Sequence, residues 1–448
     1  MTELFETSLA RTNVRNANTA MRDGHNRPIV VVTGMGVITS LGEGKPENWT
    51  KLTAGESGIR AIRRFSTHGL KTRIAGTIDF VEVKPFSSTT LAERLADIAI
   101  KEAVGQSGIG RRRDFPGPLF LGLAPVEVEW PRREEIAQAS GVVGTIDYDV
   151  LLRTSGNGRF AQTHARYLFG SVADHLCERF GTKGSPISVS TACASGATAI
   201  QLGVEAIRRG EADAALCVAT DGSINPEALV RFSLLSALST HNADPSGASR
   251  PFAKDRDGFV MAEGAGALVL ESLQAAQSRG AKILGVIAGC GELTDTFHRT
   301  RPNPNGKPIA DCIRNALIDA NLTFDQVDYI NAHGTSTSEN DRMEYLGAAA
   351  VFGDHARKIP VSSNKSMIGH TLSAAGIIEA VFTLLTLEHG RIPPTINYDI
   401  PDPAIPFDVV PNKARDAHVA TAMSNSFGFG GQNVSLIMRR ELGKDPAS

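Results

Sequence analysis

Cys193, His333 and His370 are the residues of this chain whose types and settings point to chemistry. Cys193 stands in Ser190-Thr191-Ala192-Cys193-Ala194-Ser195-Gly196, His333 in Asn331-Ala332-His333-Gly334-Thr335-Ser336-Thr337, and His370 in Lys365-Ser366-Met367-Ile368-Gly369-His370-Thr371. Each run ends or punctuates a strand-like segment and carries small residues that let backbone and substrate approach closely. A thiol is a nucleophile, and two imidazoles titrating near neutrality can move a proton or hydrogen-bond a developing charge. One thiol with two histidines is the set that carbon–carbon bond formation on an acyl group requires.

Each residue has a plainer reading beside this one. Cys193 reads as a structural buried cysteine or as a nucleophile at a strand-to-helix junction, where helical N–H groups would lower its pKa and bind an oxyanion. His333 reads as a capping histidine in a turn or as a proton-handling group beside Thr335 and Thr337. Lys365 is either a solvated lysine or a partner for Glu379 that sets the electrostatics around His370. Ser426-Phe427-Gly428-Phe429-Gly430-Gly431 is a glycine-dense turn with core aromatics or a mobile gate to an apolar channel. The cysteines have no metal-ligand spacing and the histidines form no HExxH, so no catalytic metal is expected.

The elements that must hold these runs are legible from periodicity. Pro28 to Val32 is an apolar β-branched run expected to open the ordered chain as a buried strand, broken by a turn at Thr33-Gly34-Met35-Gly36. Those glycines do not make a dinucleotide fingerprint, because Thr39 holds the third glycine position and Pro46 soon follows. Further strands are predicted at 119–123, 187–190, 214–219, 264–270, 283–287, 329–331 and 360–362. Helices are predicted at 89–105, 194–209, 308–320 and 373–389, and 124–165 reads as a long irregular excursion. Alternating buried strands and amphipathic helices imply an α/β fold with parallel sheets. Each half ends a strand on a chemical motif, which points to an internal duplication.

Bulk properties exclude several classes. The 448 residues carry a formal net charge of −2, so no global field draws the chain to nucleic acid or an anionic membrane. Five scattered cysteines without CxxC pairs fit a reducing compartment rather than a disulfide framework, and a cytoplasmic location is expected. Ile187 to Val204 is uncharged, but its serines, threonines and glycines argue against a membrane span. The N-terminal residues have no apolar core of a secretory signal and read as a loose tail.

Taken in order, the motifs identify a family. Val31 to Gly36, Thr191 to Gly196, Ser249-Arg250-Pro251-Phe252 through Asp257-Gly258-Phe259-Val260, Asn331 to Thr337, Lys365 to His370 and Ser424 to Gly431 resemble those of the β-ketoacyl-acyl-carrier-protein synthases of the thiolase superfamily. The resemblance runs from about Ile29 to Arg440. It implies a thiolase-like five-layered αβαβα fold with two pseudo-symmetric halves, here 29–280 with Cys193 and 281–440 with His333, Lys365 and His370, flanked by a flexible tail at 1–28 and another at 441–448. It also implies a homodimer and an acyl carrier protein as partner. No resident cofactor is implied, since 4′-phosphopantetheine arrives on the carrier.

By that resemblance Cys193 accepts an acyl chain, and His333 and His370 promote malonyl decarboxylation, leading to a 3-oxoacyl product in fatty-acid elongation. Lys365 with Glu379 would support His370. The N–H groups of Cys193 and Phe429 would form the oxyanion hole in a gate that includes Gly428 and Gly430. Thr335, Thr337, Thr300 and Phe232 would bind the substrate. Three departures stand out. Ala124-Pro125-Val126-Glu127-Val128-Glu129-Trp130 replaces a glycine-rich segment, Tyr167 to Ala173 is atypical, and Leu91-Ala92-Glu93-Arg94-Leu95 holds a single base where a carrier-docking patch often lies. Arg299 and Arg301, or Arg60, Arg63 and Arg64, are the alternatives for an acidic carrier. A polyketide or specialised-lipid ketosynthase is the nearest alternative. A non-catalytic chain-length-factor-like subunit would lack the nucleophile, and a thiolase would want a second catalytic cysteine late in the chain.

Overall fold

Apolar β-branched runs become strands in two sets. The computed structural model describes residues 21–440 except 85 and 142–146, so most of the N-terminal tail and all of 441–448 lie outside the described residues. The first set comprises β1 (Val30–Thr39), β2 (Leu119–Leu123), β3 (Ile187–Val189), β4 (Ala214–Asp221) and β5 (Gly264–Ser272). The second comprises β6 (Gly285–Thr294), β7 (Tyr329–Asn331), β8 (Pro360–Ser362), β9 (Thr421–Phe427) and β10 (Gln432–Arg439).

In space the first set runs β3-β2-β4-β5-β1 and the second β8-β7-β9-β10-β6. In each, three strands lie parallel and the next two reverse in turn. The same order therefore occurs twice. The sets form one continuous sheet, but they touch only where β1 meets β6, pairing Val31 with Val286 and Val32 with Gly285.

Helices fill three layers around these two leaves. They are α1 (Ser88–Ser107), α2 (Ser195–Arg208), α3 (Lys307–Asp319), α4 (Ser338–Phe352) and α5 (Ala375–His389). One apolar cluster joins Ile200 and Val204 of α2 and Ile377 and Val381 of α5 to Val32, Leu268, Ala422 and Leu436 from both leaves. A second packs Leu91 and Leu95 of α1 on the outside of the first leaf, and a third packs Ile309 and Ile313 of α3 on the outside of the other. The result is helix, leaf, helix pair, leaf, helix: the five-layered αβαβα arrangement. Helix α5 is apolar all round because both of its sides face sheet. By length and hydropathy Leu372–His389 passes for a membrane span, yet 89% of it is buried inside the protein.

Three expectations need correction. Thr33-Gly34-Met35-Gly36 is not a turn, since β1 runs through it. A Cβ on Gly34 would lie 2.1 Å from the Ala103 carbonyl oxygen, and one on Gly36 2.0 Å from that of Ala99, so these glycines let α1 press onto the strand. The excursion after β2 is not irregular: it holds helices Trp130–Ala139, Tyr148–Gly156 and Ala161–Arg166, none of which buries a residue. Residues 21–28, assigned to the loose tail, are held. Arg27 donates to Asp319 at 2.6 Å and to Asp23 at 2.8 Å, and Asp319 also takes Arg208 at 2.7 Å, so charge pairing ties this segment to α2 and α3.

Candidate active site

Cys193 sits where β3 gives way to α2, in a short 3₁₀ turn at Ala192–Ala194. The chain enters that turn at Ala192 with φ of +48°, a left-handed conformation that costs a non-glycine residue and is held by its surroundings. Ser195 braces the turn by donating to the Ala192 carbonyl at 2.6 Å and accepting the Thr191 N–H at 2.9 Å. The same turn recurs before α5 as Thr371-Leu372-Ser373-Ala374, with Leu372 at φ +45°. Ser373 occupies the place that Cys193 holds in the first half. Its hydroxyl lies between Asp221 Oδ2 at 2.7 Å and the Thr220 carbonyl at 2.9 Å, so its single proton is held between these oxygens and no imidazole is there to take it. The duplication thus leaves one nucleophile.

His333 follows β7 and His370 precedes the second turn, and the fold brings both rings to the thiol. Cys193 Sγ and one nitrogen from each ring lie within 4.8 Å of one another, all buried. That clustering alone would suit a soft divalent ion, but the ammonium of Lys365 beside His333 sets a positive charge against one. His370 Nε2 is 3.1 Å from Cys193 Sγ, and its Nδ1 accepts the Leu372 N–H at 3.3 Å. Lys365 Nζ lies 3.4 Å from His333 Nδ1 and donates to the His333 carbonyl at 2.6 Å. An ammonium can only donate, so Nδ1 of His333 accepts. Both imidazoles therefore carry their proton on Nε2.

Electrostatics keep the rings neutral. Burial, reinforced by Lys365, holds both histidines well below the usual imidazole range, and His370 lowers His333 further. Lys365 also pairs with buried Glu379, whose carboxyl burial pushes up to about 7 against the pull of the ammonium. The sequence reading that Lys365 serves His370 is narrowed here: its charge helps hold His370 neutral, but its hydrogen bonds go to His333. The expected lowering of the thiol pKa is corrected. Burial pushes Cys193 up to about 11, outweighing a hydrogen bond from the Phe429 N–H and the nearby Lys365 charge.

Two cavities meet at the sulfur. An entrance cavity of about 410 Å³ is lined by Thr300, Thr335 and Thr337 together with both histidines, and an inner cavity of about 260 Å³ lies beyond. Cys193, Phe232, Leu372 and Phe429 line both, so the last three stand at the junction. Thr335 and Thr337 share a hydroxyl hydrogen bond of 2.8 Å. Gly428 and Gly430 belong to the entrance wall, Gly430 donating to the Arg299 carbonyl at 2.8 Å. Glu379 lines neither cavity and acts only through Lys365. Of the basic residues, Arg301 rims the entrance, whereas Arg64 is clamped by Glu263 at 2.6 Å and Asp79 at 2.9 Å.

Two carboxylates escaped the sequence reading. Glu344 accepts the His333 N–H at 2.9 Å and the Gly334 N–H at 2.8 Å, and Asp341 accepts the Thr335 N–H at 3.0 Å. They lock the histidine loop to α4. Their signal was two acids three residues apart on the buried face of a helix that starts just after the motif.

Comparison with known proteins agrees with this geometry. Residues 27–276 match the N-terminal domain of beta-ketoacyl synthase and residues 284–399 its C-terminal domain. The chain is 38% identical to a 3-oxoacyl-[acyl-carrier-protein] synthase 2 of Coxiella burnetii, over 92% of this chain and 98% of that one. It is equally 38% identical to the tetracenomycin polyketide synthase ketoacyl synthase alpha subunit of Streptomyces glaucescens, over 93% and 98%. Among solved structures, a type II polyketide acyl-carrier protein in complex with its ketosynthase bound to the hexaketide aligns with a TM-score of 0.83 at 32% identity, covering 93% of this chain and 100% of that one. A beta-ketoacyl synthase from Burkholderia phymatum aligns at 0.78 and 32% identity, covering 92% and 100%.

Proposed function

The chain belongs to the β-ketoacyl synthase family of condensing enzymes, and from that membership we propose that it extends acyl chains held on an acyl carrier protein in fatty-acid elongation. The observation that carries the reading is one sulfur at the junction of two cavities with two Nε2–H donors beside it.

An acyl-loaded phosphopantetheine arm enters past Thr300, Thr335 and Thr337. Cys193 attacks the thioester carbonyl, a new C–S bond forms, and the N–H groups of Cys193 and Phe429 hold the oxyanion until the bond to the arm's sulfur breaks; the proton that Cys193 gives up passes to that sulfur, and the arm leaves as a thiol. The acyl chain occupies the inner cavity. Malonyl on a second carrier then loses CO₂, and the electron pair from the broken C–C bond moves onto the thioester oxygen. The Nε2–H groups of His333 and His370 bind that enolate oxygen. The enolate carbon attacks the acyl group on Cys193, the thiolate departs, and 3-oxoacyl carrier protein is released. Lys365 and Glu379 position His333.

The apolar lining of the inner cavity, with Ala92, Leu123, Val126 and Ala228, favours a saturated chain over the keto-rich chain of a polyketide. All five cysteines are free thiols, which fits action in the cytoplasm. Strand β3 ends the sheet with Ile187 45% exposed, an edge that a second copy would cover to make a homodimer. Light scattering reads that state directly.

Mass spectrometry of Cys193 after incubation with acyl-loaded carriers tests the reaction. Acyl transfer to Cys193 is expected, followed by 3-oxoacyl product when malonyl carrier is added. Cys193→Gln should decarboxylate malonyl carrier without condensing. Condensation that persists in Cys193→Ser would overturn the nucleophile assignment, and a wild-type preference for keto-rich over saturated chains would favour polyketide synthesis.

A further inference from the structure

The turn that duplicates the nucleophile's own is clamped by a buried acid. Strand β9 ends shortly before Phe429, whose N–H faces the Cys193 sulfur, and its counterpart β4 ends on Asp221, which faces Ser373. The partners of Asp221 are serines and not a cation. Its Oδ1 accepts the Ser223 N–H at 3.0 Å and the Ser223 hydroxyl at 2.5 Å, and its Oδ2 lies 2.7 Å from Ser373 Oγ and 3.4 Å from Ser373 N. Ser373 Oγ is also 2.9 Å from the Thr220 carbonyl oxygen. A serine hydroxyl has one proton to donate. Were Asp221 a carboxylate, two acceptors would compete for that proton, and one contact would set lone pair against lone pair. A proton on Oδ2 satisfies both contacts: Asp221 donates to Ser373 Oγ, and Ser373 donates to the Thr220 carbonyl.

Resting on the condensing reading above for the role of His370, we propose that Asp221 is a neutral carboxylic acid and a positioning residue for His370, acting through Ser373 on the turn Thr371-Leu372-Ser373-Ala374. That turn carries the Leu372 N–H that fixes the His370 tautomer, and the Leu372 side chain stands where the two cavities join. With Leu372 at φ +45° the turn is strained and needs holding. The clamp reaches from a strand of the first leaf to a turn of the second half, so it ties the nucleophile's half to the histidine. Its surroundings favour the neutral form. Asp221 is 1% exposed, and burial holds its carboxyl above the usual carboxylate range against the pull of its serine partners. The ionisable groups that share its cavity are Cys193, Glu127, Glu129, Glu227 and Arg231, and Arg231 is already paired with Glu127. An ionised Asp221 would oppose negative charge on the sulfur and on the oxyanion beside it, whereas the neutral acid holds the turn without that cost.

Asp221→Asn in the full chain carries the test, because the amide is the isostere of the neutral acid: its N–H donates to Ser373 Oγ and its carbonyl oxygen keeps both Ser223 donors. In the Cys193→Gln background, Asp221→Ala should lower kcat for malonyl-carrier decarboxylation by about 10²-fold with a far smaller change in KM, and Asp221→Asn should recover most of that loss. Ser373→Ala should reproduce the loss and add little to it in the double variant, since both residues act through one bridge. Two readouts report the proton itself. Infrared spectra of protein carrying ¹³C-labelled aspartate should show, at neutral pH, the C=O band of a protonated carboxyl that Asp221→Asn lacks. Iodoacetamide should alkylate Cys193 at the same rate in Asp221→Asn as in the wild type, because neither carries a charge there. A missing band, or faster alkylation in Asp221→Asn, would overturn the neutral acid. Equal losses of decarboxylation in Asp221→Asn and Asp221→Ala would overturn the clamp. A Cys193→Gln chain that does not decarboxylate malonyl carrier at all would overturn the condensing reading and the role given to His370, while the band and the alkylation rates would still decide the state of Asp221.

Discussion

Gly196 and Gly376 lie back to back across the pseudo-twofold relation of the two halves: a Cβ on Gly196 would sit 2.6 Å from the Ile377 nitrogen, and one on Gly376 2.6 Å from the Ala197 nitrogen. They occupy equivalent places in the first turns of α2 and α5, a few residues after Cys193 and Ser373. The nucleophile's turn is therefore braced by its own duplicate, and the active site and the central packing are one structure.

Gly196→Ala should accordingly harm both stability and chemistry. The added methyl meets backbone, which cannot rotate away, so the helices must part at a cost of about 1–3 kcal/mol or more. Parting them moves Cys193 relative to His370. Denaturant unfolding should show the loss of stability, and Cys193 acylation should fall together with it. A variant with wild-type stability and wild-type acylation would mean that the two turns have room to spare.

Lys365→Met separates the two histidines. It removes the donor to His333 Nδ1 and leaves Glu379 buried without its ammonium, which costs about 3–5 kcal/mol in comparable buried pairs, less where Glu379 takes up a proton. Malonyl decarboxylation should fall by about 10²-fold or more as His333 loses its fixed tautomer. Cys193 acylation should change far less, because His370 draws its tautomer from the Leu372 N–H instead. Adding Glu379→Gln should recover stability without recovering decarboxylation. Equal losses in both half-reactions would contradict this division.

Much of this was legible in the sequence, and the exceptions share a cause. Strand and helix positions followed from apolar periodicity, and the three chemical runs from residue type and spacing. Gly34 and Gly36 misled because a glycine that admits a helix looks, in one dimension, like a glycine that makes a turn. Lys365 was recognised and its charge does act on His370, but its hydrogen bonds to His333 were missed, since five residues of separation from His370 say nothing about the ring that β7 delivers to it from 32 residues away. The Cys193 turn read correctly as a helix start, but the depth of burial that outweighs it arises only when both leaves close over α2. Properties set by one segment could be read, while those set by where two segments meet could not.

The acid limb of decarboxylation should lie unusually low. His333 and His370 have folded pKa values depressed below the ordinary 6.5 by burial and Lys365, so their neutral forms are fully populated above that value and are lost only as pH falls through the depressed values. A second proton would enter at Nδ1 and displace the Leu372 N–H and the Lys365 ammonium. In Cys193→Gln, kcat/KM for malonyl carrier should stay flat from pH 8 down through about 6 and decline only in more acidic buffer. A midpoint at or above 6.5 would show that at least one ring is not held neutral by its surroundings.

Alkylation of Cys193 by iodoacetamide measures the opposite shift. Only the thiolate reacts, and burial holds the Cys193 thiol up at about 11. Its rate, followed by mass spectrometry of the Cys193 peptide, should rise close to tenfold per pH unit from 7 to 10 with no plateau near the ordinary cysteine value of about 8.5. Two donors oppose the rise: the Phe429 N–H and the Nε2–H of His370, 3.1 Å from the sulfur. His370→Ala removes one of them, so it should slow alkylation at every pH while leaving the slope unchanged. A plateau at or below pH 8 in the wild type would mean that these donors and the first turn of α2 together outweigh burial, and the thiol would then wait for its acyl group already ionised.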